Sequence, residues 1–198
     1  MRASIVGLVA LLAAGAGLVP SARAQRLYGI DQHYGGIEFT VGHMGLFTSH
    51  GMFDRFMGRL IIDPQHPEHT QIDVKVEAGS VSMPWDEGAA MLRSADFFDA
   101  LHYPEIRFES IAVESLGRDH YRILGQLQIR GVSHAQTLDA MLLDRHLDAA
   151  RGSDVADFVV SGELKRSAFG MVADPVFVSD TVAIRIHTWI ALDFAASD

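Results

Sequence analysis

The chain has 198 residues, contains no cysteine and carries a formal net charge of −9 at pH 7. The acidic balance argues against a nucleic acid partner, because phosphate backbones attract basic surfaces. Without cysteine no disulfide can form, so the fold has to rest on packing and backbone hydrogen bonding.

The first residues form the pattern of a secretory signal peptide. Arg2 precedes an apolar stretch from Ile5 to Val19, and the small residues of Ala22-Arg23-Ala24 fit the site that signal peptidase cleaves. The apolar stretch is shorter than the roughly 20 residues that a membrane-spanning helix needs. We therefore expect export, cleavage after Ala24, no stable membrane insertion, and one mature domain over residues 25–198.

Alternation of apolar and polar residues dominates the mature chain, which predicts half-buried β-strands. The pattern is clearest from Val182 to Leu192, where the even positions are mainly large and apolar. Turn-forming residues such as Leu116 to Asp119 separate several of the candidates. Eight strands are predicted in all: Ile37 to His43, Met52 to Ile62, Ile72 to Ala78, Ile106 to Val113, Tyr121 to Ile129, Thr137 to Leu143, Phe158 to Leu164 and Val182 to Leu192.

One segment departs from this alternation. Asp86 to Leu101 predicts one or two short helical turns, since Met91, Leu92, Ala95 and Phe98 recur at helical spacing. Eight antiparallel strands have to hide their sheet edges, and closure into a barrel does so completely. We predict an all-β, eight-stranded antiparallel barrel with a short helical insertion, with a two-sheet sandwich as the alternative. A barrel of this size either fills with its own side chains or holds one small ligand.

The sequence offers little for catalysis or metal binding. The histidine pairs His43 with His50 and His66 with His69 lack the three or four convergent ligands that a zinc site needs. There is no nucleophile elbow around a serine and no phosphate-binding glycine loop. We therefore predict no catalytic residues, no metal and no cofactor, that is, a protein that is not an enzyme.

An apolar interior is the more informative possibility. His43 shares a strand face with Phe39 and is predicted to point inward, either as a structural histidine or as a polar group at one end of an apolar cavity. The phenylalanines either fill a core or line a tunnel for an acyl or isoprenoid chain, in which each buried CH₂ contributes about 0.8 kcal/mol. The predicted ligand-contacting residues are Phe39, His43, Phe53, Phe56, Met91, Phe97, Phe98 and Phe108.

The order of motifs along the mature chain resembles the YceI-like family, from about Tyr28 to Leu192. The motifs that carry the resemblance are Tyr28-x-x-Asp31-x-His33, Ile37-x-Phe39-x-Val41-x-His43-x-Gly45, Gly51-x-Phe53-x-x-Phe56-x-Gly58, Leu92-Arg93-Ser94-x-Asp96-Phe97-Phe98-Asp99, Tyr103-Pro104-x-Ile106-x-Phe108-x-Ser110, Gly125-x-Leu127-x-Ile129-Arg130-Gly131-Val132, Arg166-x-x-Phe169-Gly170 and Val178-Ser179-Asp180-x-Val182-x-Ile184. The resemblance implies a lipocalin-like barrel with an elongated pocket, a periplasmic location, and a carrier role for a polyisoprenoid, quinone-like or fatty-acyl lipid.

The chain departs from the family pattern around Ser80 to Asp86 and just before Leu92. Met83, Trp85 and Met91 in this region either make the barrel entrance more apolar or, for Trp85 and Met91, serve only to pack the helical segment. Two other functions stay open. One is an enzyme acting on a lipid ester or phosphate, with His43 or His50 as base or metal ligand, and the other is an interaction module with a filled barrel. A homodimer is also plausible if aromatic residues such as Trp189 lie on the outer surface.

Overall fold

The computed structural model describes residues 26–62, 66–148 and 153–191. The predicted signal peptide and its cleavage site lie outside these ranges. No helix within them is both long enough and apolar enough to cross a membrane.

Strands make up most of the described chain, and one α-helix accompanies them. Short 3-10 turns occur at Pro67–His69, Ala78–Ser80 and Arg166–Phe169. The longer elements are β1 (Arg26–Asp31), β2 (Gly35–His43), β3 (Phe47–Phe53), β4 (Phe56–Ile62), β5 (Gln71–Glu77), β6 (Val81–Ser82), α1 (Asp86–Arg93), β7 (Glu105–Gly117), β8 (His120–Ile129), β9 (Val132–Asp148), β10 (Ser153–Lys165) and β11 (Val178–Ala191).

The strands form a single antiparallel sheet in the order β1-β4-β5-β7-β8-β9-β10-β11-β2-β3-β6. The predicted all-β barrel is confirmed, while the two-sheet sandwich is wrong, because one sheet curls around one interior. The predicted count of eight strands is also wrong, since the described chain has eleven.

The difference in strand number has a simple geometric origin. Three sets of two strands follow one another closely in the chain: β1 with β2, β3 with β4, and β5 with β6. Each set acts as one long strand that contains an interruption. β2 and β3 pair with each other, and so do β1 and β4. β2 also pairs with β11, and β4 with β5, so the backbone pairing continues around the whole interior. The interruptions let these long strands bend sharply around the barrel.

Individual elements show where the sequence-based boundaries differ. β1 and the two-residue β6 were not predicted, and the predicted strand from Met52 to Ile62 is divided at Asp54 and Arg55. The predicted turn near Leu116 is confirmed, because Arg118 and Asp119 adopt positive φ angles of 48° and 65°. The predicted helical segment is helical only up to Arg93 and continues as turns.

α1 and the turns after it cover one end of the barrel, called here the helix end. Arg93 Nη1 donates a hydrogen bond of 3.0 Å to the carbonyl of Val81, which ties α1 to β6. A side-chain carbon at Gly131, between β8 and β9, would lie 3.2 Å from the Tyr103 ring, so the turns pack against that corner. At the opposite end, called the far end, β1 and β10 begin and β9 and β11 end.

Candidate functional site

The barrel encloses a cavity of about 540 Å³. Its wall includes Met83 and Met171 near the helix end, and Tyr28 and Ile62 near the far end, so it extends along the barrel. Most of the remaining wall is aliphatic or aromatic and comes from the inward-facing positions of the strands. The volume falls within the range of roughly 300–1,000 Å³ that is usual for small-molecule sites.

All eight predicted ligand-contacting residues line this cavity. They come from several elements: four phenylalanines from the strands, two from the turns after α1, Met91 from α1 and His43 from the end of β2. The Phe53 ring lies 5.8 Å from that of Phe39 and 5.4 Å from that of Phe98, measured between centroids. These contacts join the strand wall to the helix end. The eight residues are Phe39, His43, Phe53, Phe56, Met91, Phe97, Phe98 and Phe108.

Two aromatic side chains of the wall lie directly over glycines of neighbouring strands. A Cβ atom at Gly51 would lie 2.3 Å from Cζ of Phe39, and one at Gly125 would lie 2.4 Å from Cζ of Phe108. No side chain could share that space without moving the ring. Because both glycines lack a side chain, the two rings can lie against the neighbouring strands and do not project further into the cavity.

His43 contributes one of the few polar groups of the wall. Its Nε2 atom lies 2.8 Å from Oγ of Ser49, and its ring stacks on Phe47 with centroids 4.8 Å apart. His50, the other histidine considered from the sequence, is exposed, and its ring nitrogens lie 3.0 Å from the Thr40 hydroxyl and 3.2 Å from that of Thr48. His50 does not line the cavity, so the two histidines do not form one site.

Arg166 lines the cavity although only 5% of it is exposed. Its guanidinium donates hydrogen bonds of 3.0, 2.9 and 3.0 Å to the carbonyls of Ser179, Met171 and Val178, and so holds the start of β11. This arginine was not among the predicted contacts. The hydrogen bonds engage its donors within the protein, which gives it a structural role.

Next to Arg166, a hydrogen bond from the backbone N–H of Ser167 reaches Asp180 Oδ1 at 2.9 Å. This bond is the main reason why the pKa of Asp180 is lowered from its ordinary value, and the positive charges of Lys165 and Arg166 lower it further. Asp180 therefore stabilises the same corner of the barrel as an ionised carboxylate.

Trp189 lies on the outer face of the barrel and is half-buried, with its ring edge-on to that of Tyr34 at 4.6 Å. This arrangement does not test the expected homodimer, which stays a prediction. The same face brings Asp144, His146 and Asp157 together, with potential ligand atoms within 4.8 Å of one another. Asp144 and His146 are exposed and Asp157 is partly exposed, and none of the three lines the cavity. This group therefore does not belong to the site.

The curled antiparallel sheet and its long apolar cavity define a lipocalin-like barrel. The family model for the YceI-like domain matches residues 28–189. The chain therefore belongs to the YceI-like family. A relative from Serratia proteamaculans, the UPF0312 protein, is 31% identical over 179 residues, which cover 88% of this chain and 89% of the relative.

Two solved structures share the fold. BcnA of Burkholderia cenocepacia superimposes with a TM-score of 0.73 at 21% identity, over 81% of this chain and 98% of that one. A polyisoprenoid binding domain from Saccharophagus degradans, implicated in plant cell wall breakdown, has a TM-score of 0.59 at 12% identity, over 85% of this chain and 99% of that one. At these identities the likeness concerns the fold alone.

Proposed function

We propose that this protein is an exported periplasmic carrier that holds a long-chain apolar lipid inside its barrel and performs no catalysis. The observation that carries the proposal is the cavity of about 540 Å³ with its aliphatic and aromatic wall. A polyisoprenoid, quinone-like or fatty-acyl chain fits this chemistry. Family membership and the likeness to a polyisoprenoid binding domain support the same proposal.

The energetics favour a long ligand. Each CH₂ group removed from water contributes about 0.8 kcal/mol, so a chain of about 15 carbons gains roughly 12 kcal/mol before the costs of association are subtracted. Those costs amount to about 4–15 kcal/mol. A short chain would therefore be held weakly, whereas a long one can be retained without a charged contact.

The cavity also weighs against the filled-barrel alternative, which required an interior packed by its own side chains. Export is supported by the N-terminal pattern, with its apolar stretch from Ile5 to Val19 and the small residues of Ala22 to Ala24. We propose that cleavage after Ala24 leaves residues 25–198 as the mature lipid-binding domain.

Native mass spectrometry of the protein purified from its own periplasm tests the proposal. We expect an intact mass that corresponds to cleavage after Ala24, together with a stoichiometric long-chain adduct that organic extraction releases and identifies. The adduct should be lost in Ile184→Gln, which places a polar amide in the apolar part of the cavity wall. It should persist in Met57→Gln, because Met57 is 65% exposed and does not line the cavity.

A bare protein that also fails to take up geranylgeraniol or hexadecanoate would contradict the carrier function. Loss of the adduct in both variants would contradict the placement of the lipid in the cavity, because Met57→Gln leaves the wall unchanged.

A further inference from the structure

The cavity wall contains four side chains that can carry a charge near neutral pH: Glu38, His43, Arg145 and Arg166. Glu38 is exposed and lies between two inward-facing residues of β2, so its carboxylate is directed outward. His43 is engaged with Ser49, and Arg166 with three backbone carbonyls. Arg145 is the member of this set whose role the fold does not explain.

A β-bulge in β9 determines where Arg145 points. Leu142 lies opposite Phe158 of β10, and Asp144 lies opposite Asp157, which directly precedes Phe158. Leu143 is therefore an extra residue without a partner in β10. A bulge of this kind shifts the alternation of the strand by one residue and redirects the side chains that follow it.

The shifted alternation turns Arg145 inward. Arg145 lies opposite Ala156 of β10, Ala156 lies opposite Ile190 of β11, and all three line the cavity. Continued strict alternation from the buried Leu142 would have directed Arg145 to the outer face. The bulge thus places Arg145 at the far end of a cavity whose wall is mostly apolar.

Arg145 is also accessible. It is exposed although it lines the cavity, so the cavity meets solvent beside it. Within residues 26–62, 66–148 and 153–191, no hydrogen bond or ion pair engages its side chain. The nearby carboxylate of Asp144 is paired with His146 at 3.2 Å. A guanidinium offers five N–H donors in a planar fork that matches phosphate and carboxylate oxygens.

We infer that the cavity accepts a long-chain lipid with an anionic oxygen headgroup, a phosphate or a carboxylate, and that Arg145 binds this headgroup at the far end. The apolar chain then lies along the wall toward α1. Because Arg145 is exposed, the headgroup keeps part of its hydration and avoids the full cost of burying a charge. This inference rests on the proposed carrier function and adds the class of headgroup.

Two matched pairs of probes test the inference: geranylgeranyl phosphate with geranylgeraniol, and hexadecanoate with hexadecanol. Arg145→Gln should weaken binding of the anionic probes about tenfold, as for the loss of one partly hydrated, charge-assisted pair. The affinity of this variant for the two alcohols should equal that of the wild type. The affinity of Arg145→Lys for the anionic probes should lie between those of the wild type and Arg145→Gln, because lysine keeps the charge without the planar fork. The anion that loses more affinity identifies the preferred headgroup.

Arg185→Gln is the matched control, because Arg185 is exposed and does not line the cavity. It should leave all four affinities unchanged, and circular dichroism should show that every variant is folded. Added salt should weaken binding of the anions to the wild type more than to Arg145→Gln.

Three outcomes would overturn the inference, and they are distinguishable. If Arg145→Gln binds the anionic probes as tightly as the wild type, the proposed headgroup contact is excluded while the carrier function is unaffected. If Arg145→Gln loses the same affinity for alcohols and anions, Arg145 only supports the wall. Failure of the wild type to bind any of the four probes overturns the carrier function and this inference together.

Discussion

Replacing Gly51 by alanine should force an aromatic wall residue into the cavity. Gly51 lies opposite Phe39 in the pairing of β3 with β2, and the new Cβ would lie 2.3 Å from Cζ and 2.8 Å from Cε1 of that ring. Carbon atoms in contact are normally about 3.5–4.0 Å apart, so the ring has to move by roughly 1 Å or more. Phe39 is 9% exposed and packs on Phe53, which leaves the cavity as the direction of movement.

Overpacking of this kind costs about 1–3 kcal/mol of the free energy of unfolding. For a domain of this size that corresponds to a fall of about 2–12 °C in the midpoint of thermal unfolding. The displaced ring also occupies space in the cavity, so affinity for a 20-carbon alcohol such as geranylgeraniol should fall as well. Thermal unfolding followed by circular dichroism, and fluorescence-based lipid titration, measure the two effects.

Two further variants isolate the cause. Gly36→Ala should change stability by less than about 0.5 kcal/mol, because no heavy atom lies within 4 Å of the added Cβ. The double variant Phe39→Leu/Gly51→Ala should be no less stable than Phe39→Leu alone, because the obstructing ring is gone. If Gly51→Ala is equally costly with and without the Phe39 ring, the reasoning is refuted.

Three other substitutions test the polar interactions of the barrel. Ser80→Ala removes the hydroxyl that accepts the Arg55 backbone N–H at 3.1 Å, and should lower the free energy of unfolding in urea by about 1–3 kcal/mol; unchanged stability would contradict this account. Arg166→Lys should cost about 2–3 kcal/mol in the same assay, since an ammonium cannot reach three carbonyls in the plane of the guanidinium, and a neutral effect would argue against the structural role. The pKa of Asp180 is lower in the folded state than in the unfolded state, where it is about 3.9. The ionised carboxylate therefore stabilises the fold fully above the unfolded pKa, and this stabilisation is lost as the pH falls through the folded pKa. The difference in thermal midpoint between wild type and Asp180→Asn should therefore be present at neutral pH and shrink in acid, whereas a difference independent of pH would exclude the ionised carboxylate as its source.

The sequence predicted the barrel because inward and outward residues alternate in most of its long strands. Strand β8, for example, was placed within one residue of its observed start at His120. Alternation fails where the chain changes direction within a long strand. Phe53 and Phe56 both point inward although they are three residues apart, since the turn at Asp54 and Arg55 resets the alternation.

The site was partly predictable for the same reason. The aromatic residues and His43 could be placed on an inward face from alternation alone, and the structure brings them to one cavity. Arg145 could not be placed in this way, because the bulge reverses the face on which it lies. The adjacent leucines Leu142 and Leu143 are the visible sign of the interruption, yet they do not indicate which residue is the extra one. Cavity volume depends on how all the side chains pack, which no strand pattern specifies.

The pairing of β2 with β11 has a consequence for how the protein folds. Ile37 is hydrogen-bonded into the same ladder as Ile186, so barrel closure joins residues near opposite ends of the described chain. Such high contact order slows folding, typically to milliseconds or seconds. Until β11 has been synthesised and is in place, β2 and β10 each expose an unpaired edge that can recruit other strands. Synthesis interrupted before β11 would therefore leave an aggregation-prone open sheet, so β11 both closes the barrel around the cavity and covers the two exposed sheet edges.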